Sequence, residues 1–182
     1  MELPNFSGFP KIPRLSRECI ITEKIDGTNA SVFINDENTE IVAASRSRWI
    51  QPGNDNHGFA RWVQDNRDEL LRLGPGRHFG EWWGQGIQRA YSMKQKRFSL
   101  FNVSRWTEDN TPDCVSVVPT LAIGMFHTDL IDRVLNDLII HGSYASDENY
   151  VSPEGIVVYH VASGVMFKKT IKGDEAPKGV GR

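Results

Sequence analysis

Near its start the chain carries short apolar runs separated by turn-forming residues, a pattern typical of β-strands. The runs predict strands at residues 18–25, 29–34 and 39–46. Residues 35–38 are all Asn, Asp or Glu, and they predict a turn between the second strand and the third. The segment before these strands, residues 1–17, contains three prolines, and we expect it to form an extended arm over the surface.

Two later stretches place apolar residues at helical spacing. Residues 57–73 predict a helix that ends at residues 74–76, and residues 128–140 predict a second helix that ends at Gly142. We expect both helices to bury one apolar face. The residues expected to face the core are Phe59, Trp62, Val63, Leu70 and Leu71 in the first helix, and Ile131, Val134, Leu135, Leu138 and Ile139 in the second.

Further strands are predicted around and after the second helix. Residues 98–103 alternate in the manner of a strand, and residues 115–126 are apolar and extended. Residues 152–159 and 165–170 have the pattern of a β-hairpin. We find neither an internal repeat nor a linker, so we expect a single domain over residues 1–182 with a mobile tail at residues 172–182.

Composition restricts the class of protein without identifying it. The chain has 182 residues, of which 39% are hydrophobic and 24% charged, as expected of a soluble globular protein. No apolar run is long enough to span a membrane, and the two cysteines, Cys19 and Cys114, indicate reduced thiols in a cytoplasmic protein. Because the net charge is −2, any surface that binds nucleic acid must be local.

The first candidate for chemistry is the segment Glu-Lys-Ile-Asp-Gly-Thr-Asn at residues 23–29. Gly27 allows a tight turn between two strands, because glycine adopts positive φ at no steric cost. Lys24 lies at the end of the first strand beside Glu23 and Asp26, which makes it a candidate nucleophile. The alternative is an ordinary β-hairpin that carries a solvated lysine.

A second candidate is Glu81, which lies in an aromatic and glycine-rich run, His-Phe-Gly-Glu-Trp-Trp-Gly. A carboxylate in such a run is costly to bury unless it is bonded, so Glu81 is expected either to bind ligand hydroxyl groups or to face outward. Arg46 and Arg48, after the third strand, are either phosphate contacts or solvated residues of a loop. The cluster Lys94, Lys96 and Arg97 has the same two interpretations.

Five signatures in one order resemble the covalent nucleotidyltransferase superfamily of ATP-dependent ligases and mRNA capping enzymes. They are Glu-Lys-Ile-Asp-Gly-Thr-Asn, Ser-Arg-Ser-Arg, Phe-Gly-Glu-Trp-Trp-Gly, Pro-Glu-Gly-Ile-Val-Val and Met-Phe-Lys-Lys-Thr. Asn29 and the run that ends in Gly-Ile-Gln are most similar to the Rnl2-type RNA ligase family. The resemblance covers about residues 18–170.

The resemblance implies an α+β adenylyltransferase fold of antiparallel sheets with flanking helices, and a nucleotide pocket between the sheets. It implies that Lys24 attacks the α-phosphorus of ATP, forms lysyl-AMP and releases pyrophosphate. AMP then passes to an RNA 5′-phosphate, and a 3′-hydroxyl displaces AMP to seal the strand. DNA nick ligation, GTP-dependent capping, and a nucleotide- or RNA-binding module that no longer seals ends are the alternatives.

The resemblance also implies a role for each matching residue of the ATP-binding site. Glu23 lies beside the adenine pocket, Asn29 lies near the α-phosphate, and Arg46 contacts the nucleotide. Glu81 holds the ribose hydroxyls, and Phe101 stacks on adenine.

Two further residues complete the implied catalytic group. Glu154 acts near the metal, and Lys168 binds phosphate. Mg²⁺ (or Mn²⁺) needs only one or two carboxylates, and the available pair is Asp26 and Glu154.

The last signature departs from the family pattern, which reads Lys-x-Lys. Thr170 stands where the second lysine is expected, and Lys169 should point to the opposite side of a regular strand. The chain also ends soon afterwards, so we expect no C-terminal nucleic-acid-binding domain. The cations predicted to grip RNA are Arg48, Lys94, Lys96, Arg97, Lys169 and Lys172.

Overall fold

Two sheets organise the part of the chain that the structure, a computed structural model, describes, namely residues 4–173. One sheet has four strands and the other has six. The strands are β1 (Glu18–Lys24), β2 (Thr28–Ile34), β3 (Ile41–Ser45), β4 (Trp49–Ile50), β5 (Gly76–Gly84), β6 (Lys96–Leu100), β7 (Ser116–Val117), β8 (Thr120–Met125), β9 (Gly155–His160) and β10 (Val165–Thr170). The α-helices are α1 (Phe59–Asp65), α2 (Arg67–Leu71) and α3 (Thr128–His141).

The four-stranded sheet has the order β10-β9-β1-β8, and every neighbouring pair is antiparallel. One face packs against α3, because Cys19 and Ile21 of β1 meet Leu135 and Leu138 of the helix in one buried cluster. His127 caps this helix by accepting a hydrogen bond from the Asp129 amide. Successive strand residues point to opposite faces, so Lys24 lies on the face away from α3.

The six-stranded sheet has the order β4-β3-β2-β5-β6-β7, in which only β6 and β7 are parallel. One face packs against α1 and α2 through a large apolar cluster. Its buried members include Ala30, Val32 and Ile34 of β2. The residues that alternate with them, Asn29 and Phe33 among others, therefore lie on the other face.

A third cluster joins the two sheets where β1 passes into β2. Ile25, in the connection, packs with Trp83, Tyr91, Met93 and Val118, all of them buried. This cluster fixes the chain on either side of the sequence signature that contains Lys24. The strand ends that carry the candidate residues are therefore joined by a packed apolar cluster.

Most of the predicted strands and the hairpin are confirmed, whereas several details differ. The strand expected over residues 98–103 ends at Leu100, and the segment expected to be extended over residues 115–126 forms two strands, β7 and β8. The helix expected over residues 57–73 is two helices, because Asn66 leaves the helical conformation between them. The short strand β4 lies in a segment for which the sequence indicated no strand. Ile139 was expected to be buried but is 46% exposed on α3. Residues 4–17 contain neither helix nor strand, and most of the tail predicted to be mobile, residues 174–182, lies outside the described residues.

Candidate active site

An ion pair between Lys24 and Glu154 occupies the end of the four-stranded sheet. Lys24 Nζ lies 2.6 Å from Glu154 Oε2, and the two side chains are 22% and 11% exposed. Lys24 ends β1 directly opposite Gly155, the first residue of β9, so the strand register brings Glu154 to the lysine. A charge-assisted hydrogen bond of this length fixes the position of the amine.

Glu81 approaches this pair from the six-stranded sheet. It lies opposite Asn29 in the register between β5 and β2, and its Oε1 accepts a hydrogen bond from the Gly27 amide at 3.1 Å. Burial raises the pKa of the Glu81 carboxyl to about 7, although Lys24 and the Gly27 hydrogen bond act in the opposite direction. Gly27 follows the end of β1 by three residues, so this hydrogen bond joins β5 of the six-stranded sheet to the end of the four-stranded sheet that carries Lys24.

Gly27 is required for a reason other than the one the sequence indicated. Its φ is not in the left-handed region, so the turn does not depend on positive φ. A Cβ at this position would lie 2.5 Å from the Trp82 carbonyl oxygen, 2.7 Å from Trp83 Cβ and 3.0 Å from Glu81 Cγ. Absence of a side chain therefore allows the β1–β2 connection to lie directly against β5.

Asp26 is paired with Arg89, a residue that belongs to none of the five sequence signatures. Arg89 Nε donates to Asp26 Oδ2 at 2.8 Å. Its Nη1 donates to the carbonyl oxygens of Ser152 and Pro153 at 2.9 and 3.0 Å. One guanidinium thus joins the segment after Lys24 to the segment before Glu154.

The turn that presents Arg89 has an unusual backbone. Ala90, Tyr91 and Ser92 all have positive φ, between 51° and 56°. Left-handed residues with a Cβ cost of the order of 1–2 kcal/mol each. Tyr91 holds the turn in place, because its ring is buried and its hydroxyl accepts a hydrogen bond from the Asp26 amide at 2.9 Å.

Glu23 points away from Lys24 into the protein, where it is 1% exposed. Its carboxylate accepts hydrogen bonds from Ser143 Oγ at 2.6 Å and from the amides of Tyr144 and Ala145 at 2.8 and 3.0 Å. Burial raises the pKa of Glu23, and these three donors oppose the shift. In this structure Glu23 holds the segment after α3.

The alternation predicted for the last signature agrees with β10. Lys168 lies opposite Val157 and Thr170 opposite Gly155, which places both on the sheet face that carries Lys24. Lys169 lies on the other face, and its Nζ is 2.5 Å from Asp132 of α3. The structure therefore separates Lys169 from the other candidate residues.

The remaining candidates for ATP binding lie on one face of the six-stranded sheet. Phe101 directly follows β6 and is partly buried against the third cluster, and its amide donates to the Phe79 carbonyl. Arg46 directly follows β3 and is exposed. Asn29 lies between them, beside Glu81, so these side chains share the surface that faces the Lys24 side of the site.

Several of the cations predicted to bind RNA have protein partners. Lys94 pairs with Glu148 at 3.2 Å, and Arg97 pairs with Asp147. Lys96 donates to the His57 carbonyl, and Arg48 donates to the Asn54 side chain. Lys172, at the end of the described residues, is exposed.

The two carboxylates expected to hold a metal, Asp26 and Glu154, both engage cations of the protein. The described residues contain no group of three or more His, Cys, Asp or Glu arranged to hold an ion. Mg²⁺ and Mn²⁺ accept carboxylate oxygens, and Mg²⁺ retains most of its waters, so one or two carboxylates suffice. The donor set therefore fits a hydrated divalent cation, with Glu154 the nearer carboxylate to Lys24.

Comparison with known proteins identifies the fold. RNA ligase structures from Naegleria gruberi match with TM-scores of 0.60 for a variant with ATP and Mn, and 0.59 for a variant with AMP and Mn. The identities are 19% and 20%, over 87% and 86% of this chain and 51% and 50% of theirs. The chain thus spans about half the length of these proteins. The match confirms the predicted nucleotidyltransferase fold of largely antiparallel sheets.

Two further findings bear on identity. No helix within residues 4–173 is long and apolar enough to cross a membrane, and no curated protein sequence matches the chain. The family model described as RNA ligase matches residues 17–172, which is most of the sequence. The chain therefore belongs to the RNA ligase family.

Proposed function

We propose that this chain carries out the nucleotidyl transfer of an ATP-dependent RNA ligase, with Lys24 as the nucleophile. The observation that carries the proposal is the 2.6 Å pair between Lys24 Nζ and Glu154 Oε2. The pair fixes the Lys24 amine at the end of β1, three residues before Gly27, whose amide bonds Glu81. Similar proteins of the same fold have been solved with ATP or AMP and Mn.

The first step forms a bond between Lys24 Nζ and the α-phosphorus of ATP and breaks the bond to pyrophosphate. Lys24 must first lose a proton, and the Glu154 carboxylate is the base within hydrogen-bonding reach of it. Phosphoryl transfer needs positioning and positive charge more than covalent help from the protein. The ion pair supplies the positioning of the amine.

Nucleotide recognition is assigned to the six-stranded sheet. Glu81, when ionised, accepts hydrogen bonds from the ribose hydroxyls, and Phe101 stacks on the adenine. Glu23 shapes the adenine side of the pocket through the segment it holds, residues 143–145. Asn29 and Arg46 lie on the same face and contact the nucleotide phosphates.

Asp26 and Glu154 are the residues that would hold Mg²⁺ or Mn²⁺. A cation held there would add positive charge beside the ATP phosphates. Lys168 is exposed on the Lys24 face, and its compact ammonium charge binds the same phosphates. Arg89 keeps Asp26 in place for this role.

The acceptor of AMP is proposed to be an RNA 5′-phosphate, which a 3′-hydroxyl then attacks to seal the strand. Transfer of AMP without sealing is the second candidate, because Thr170 occupies the position of a phosphate-binding lysine on the Lys24 face. DNA ends and GTP are the alternative substrates. Arg48 and Lys172 have no acidic partner within residues 4–173 and are candidates for RNA phosphate contacts.

The test is covalent labelling of the protein with radiolabelled ATP and a divalent cation, followed by a denaturing gel. We expect a labelled band with ATP, a much weaker band with GTP, and none for Lys24→Ala. Lys11→Ala, in the exposed segment before β1, is the matched control and should label normally. Labelling of Lys24→Ala at the control level would move the nucleophile to another residue.

A further inference from the structure

The face of the six-stranded sheet that carries Glu81 also carries exposed aromatic rings. Phe33, Trp49 and Phe79 are 36%, 52% and 51% exposed. With Val42, 41% exposed, and Arg77 they form what we call the aromatic patch. The opposite face of the same strands is buried against α1 and α2, so the patch is not a partly filled core.

Strand register explains why these residues form one surface. Phe79 lies opposite Ser31, which lies opposite Ala44, which lies opposite Trp49. In the neighbouring row Arg77 lies opposite Phe33, and Phe33 lies opposite Val42. The small side chains of Ser31 and Ala44 leave a shallow floor between the two large rings of the first row.

The patch is continuous with the proposed nucleotide site. Phe79 precedes Glu81 by two residues on the same strand, a separation of about 7 Å along one face of the sheet. The Phe101 amide donates to the Phe79 carbonyl, so the proposed adenine-stacking residue is the neighbour of Phe79 on the next strand. A strand of nucleic acid that ends at the adenylylation site could therefore continue over the patch.

A cation is built into the patch. The Arg77 guanidinium carbon lies 4.7 Å from the centroid of the Trp49 ring and 5.9 Å from that of Phe79. Phe33 and Trp49 meet edge to face at 6.0 Å. Arg77 has no ion pair with any described residue, and the patch contains no acidic side chain.

Exposed aromatic rings beside an unpaired arginine are the combination that binds single-stranded nucleic acid, because bases stack on the rings and the cation meets the backbone. We propose that unpaired bases of the RNA substrate stack on Trp49 and Phe79, with Arg77 contacting a phosphate. This inference rests on the proposed function for its choice of occupant. It makes the patch, rather than the Lys94, Lys96 and Arg97 cluster, the principal RNA contact.

The test measures binding of a dye-labelled, single-stranded oligoribonucleotide with a 5′-phosphate by fluorescence anisotropy, without ATP. We expect Trp49→Ala and Phe79→Ala each to raise Kd about 5- to 150-fold, the range for loss of one stacked base. Their salt dependence should stay unchanged. Arg77→Ala should instead flatten the log–log salt slope by about 0.7.

Matched controls come from other surfaces. Phe167 is 50% exposed on a strand, but on the sheet face opposite Lys24, so Phe167→Ala should leave Kd unchanged. Arg133 is exposed on α3, so Arg133→Ala is the control for Arg77→Ala and should leave the salt slope unchanged. Trp49 is the most exposed of the five tryptophans, so its emission should be quenched by the oligonucleotide. Trp49→Phe should lose the quenching and keep Kd within about threefold, since phenylalanine also stacks.

Unchanged Kd in folded Trp49→Ala and Phe79→Ala would overturn the inference. Dimerisation of the wild type that Trp49→Ala abolishes, seen by sedimentation, would also overturn it, because the patch would then join two copies. Labelling at Lys24 is measured on the same samples. If the protein is labelled normally but the patch variants bind RNA with unchanged Kd, the RNA-binding role of the aromatic patch is wrong and the proposed function stands. If the wild type is not labelled but its RNA binding depends on the patch, the proposed function is wrong and the patch still binds RNA.

Discussion

Arg89 and Asp26 form an ion pair, 2.8 Å between Nε and Oδ2, that joins the two segments carrying the proposed catalytic residues. The same guanidinium bonds the carbonyls of Ser152 and Pro153, immediately before Glu154. Arg89 therefore links the two segments, although its hydrogen bonds go to Asp26, Ser152 and Pro153 and not to Lys24 or Glu154. Arg89 is a positioning residue in this arrangement.

Replacement of Arg89 should impair self-adenylylation more than folding. We expect Arg89→Ala to lower the labelling rate about 10- to 100-fold, because small displacements of reacting groups have effects of that size. Unfolding free energy should fall by about 1–3 kcal/mol, since Asp26 and two carbonyls lose a charged donor. Arg89→Lys should be intermediate. Arg72→Ala, which removes an exposed pair with Glu69, is the control. An equal loss of labelling in Arg89→Ala and Arg72→Ala would contradict the positioning role of Arg89.

Glu81 should make both stability and nucleotide use depend on pH. Its pKa is about 7 in the folded protein and 4.5 as a free side chain, so the folded state retains a proton that the unfolded state loses. Stability associated with Glu81 is therefore complete below about pH 4.5 and is lost as pH rises through about 7. Glu81→Gln should remove this loss, which is at most about 3 kcal/mol at pH 8.

The same substitution should weaken ATP use while it stabilises the fold. The ribose requires the ionised carboxylate, so the apparent ATP affinity of the wild type should increase as pH rises through about 7. In Glu81→Gln it should be about 10- to 150-fold lower at pH 8, the equivalent of one charged hydrogen-bonding group. Urea unfolding and labelling across a pH series measure both effects. A pH-independent wild type would show that the carboxyl is not protonated near neutrality.

The signatures could be read from sequence because each lies at a strand end, where local pattern decides structure. β1, β9 and β10 were predicted close to their observed bounds, and alternation along β10 correctly separated Lys168 from Lys169. Such inferences need only the period of a strand. They place Lys24 and Glu154 at the ends of strands but not beside each other.

The contacts between sheets could not be predicted in that way. Arg89 lies directly before a left-handed turn, Ala90–Ser92, in which the ring of Tyr91 is buried, and no local pattern indicates this turn or the pair with Asp26. The partners of Lys94 and Arg97 come from residues about 50 positions away. Gly27 was recognised as necessary, but its reason, close approach to β5, depends on tertiary packing.

Gly27→Ala tests that reason. A methyl group would meet the Trp82 carbonyl at 2.5 Å and Trp83 Cβ at 2.7 Å, and both tryptophans are almost fully buried. We expect a loss of about 1–3 kcal/mol in unfolding free energy, as for other overpacked sites, and weaker labelling because the Gly27–Glu81 hydrogen bond is displaced. Gly8→Ala should be neutral, because a Cβ at that position would lie 3.8 Å from its nearest neighbour, Cε1 of Phe6. Equal stability of the two variants would refute the steric explanation.

Glu23 should govern the order of the segment after α3. Glu23→Ala leaves Ser143 Oγ and two amides without their acceptor, at about 1–3 kcal/mol for each donor that water cannot reach. We therefore expect lower stability and faster hydrogen exchange at the Tyr144 and Ala145 amides. Glu18→Ala, at the exposed start of β1, is the control. Unaltered exchange at these two amides in a folded variant would disprove the coupling.

The cluster Lys94, Lys96 and Arg97 should contribute little to the salt dependence of RNA binding. Few phosphate contacts are expected, so RNA binding should be weak and easily disrupted by salt. Sealing requires bound RNA, so it should fall with added salt before self-adenylylation does. Two of the three cations are paired, with Glu148 and Asp147, and an exposed pair contributes about 0–1 kcal/mol.

Replacing all three with alanine should therefore change the log–log salt slope of RNA binding by less than about 0.7, the contribution of a single phosphate contact. If instead all three meet phosphates, the slope should flatten by about 2, since each contact contributes about 0.7 on a single strand. Binding and both activities are measured on one preparation across the salt series, with Arg77→Ala alongside. A flattening of about 2 in the triple variant, with none in Arg77→Ala, would place the RNA on the cluster. The acids at positions 147 and 148 would then have to release their partners when RNA binds, and Asp147→Asn should strengthen binding.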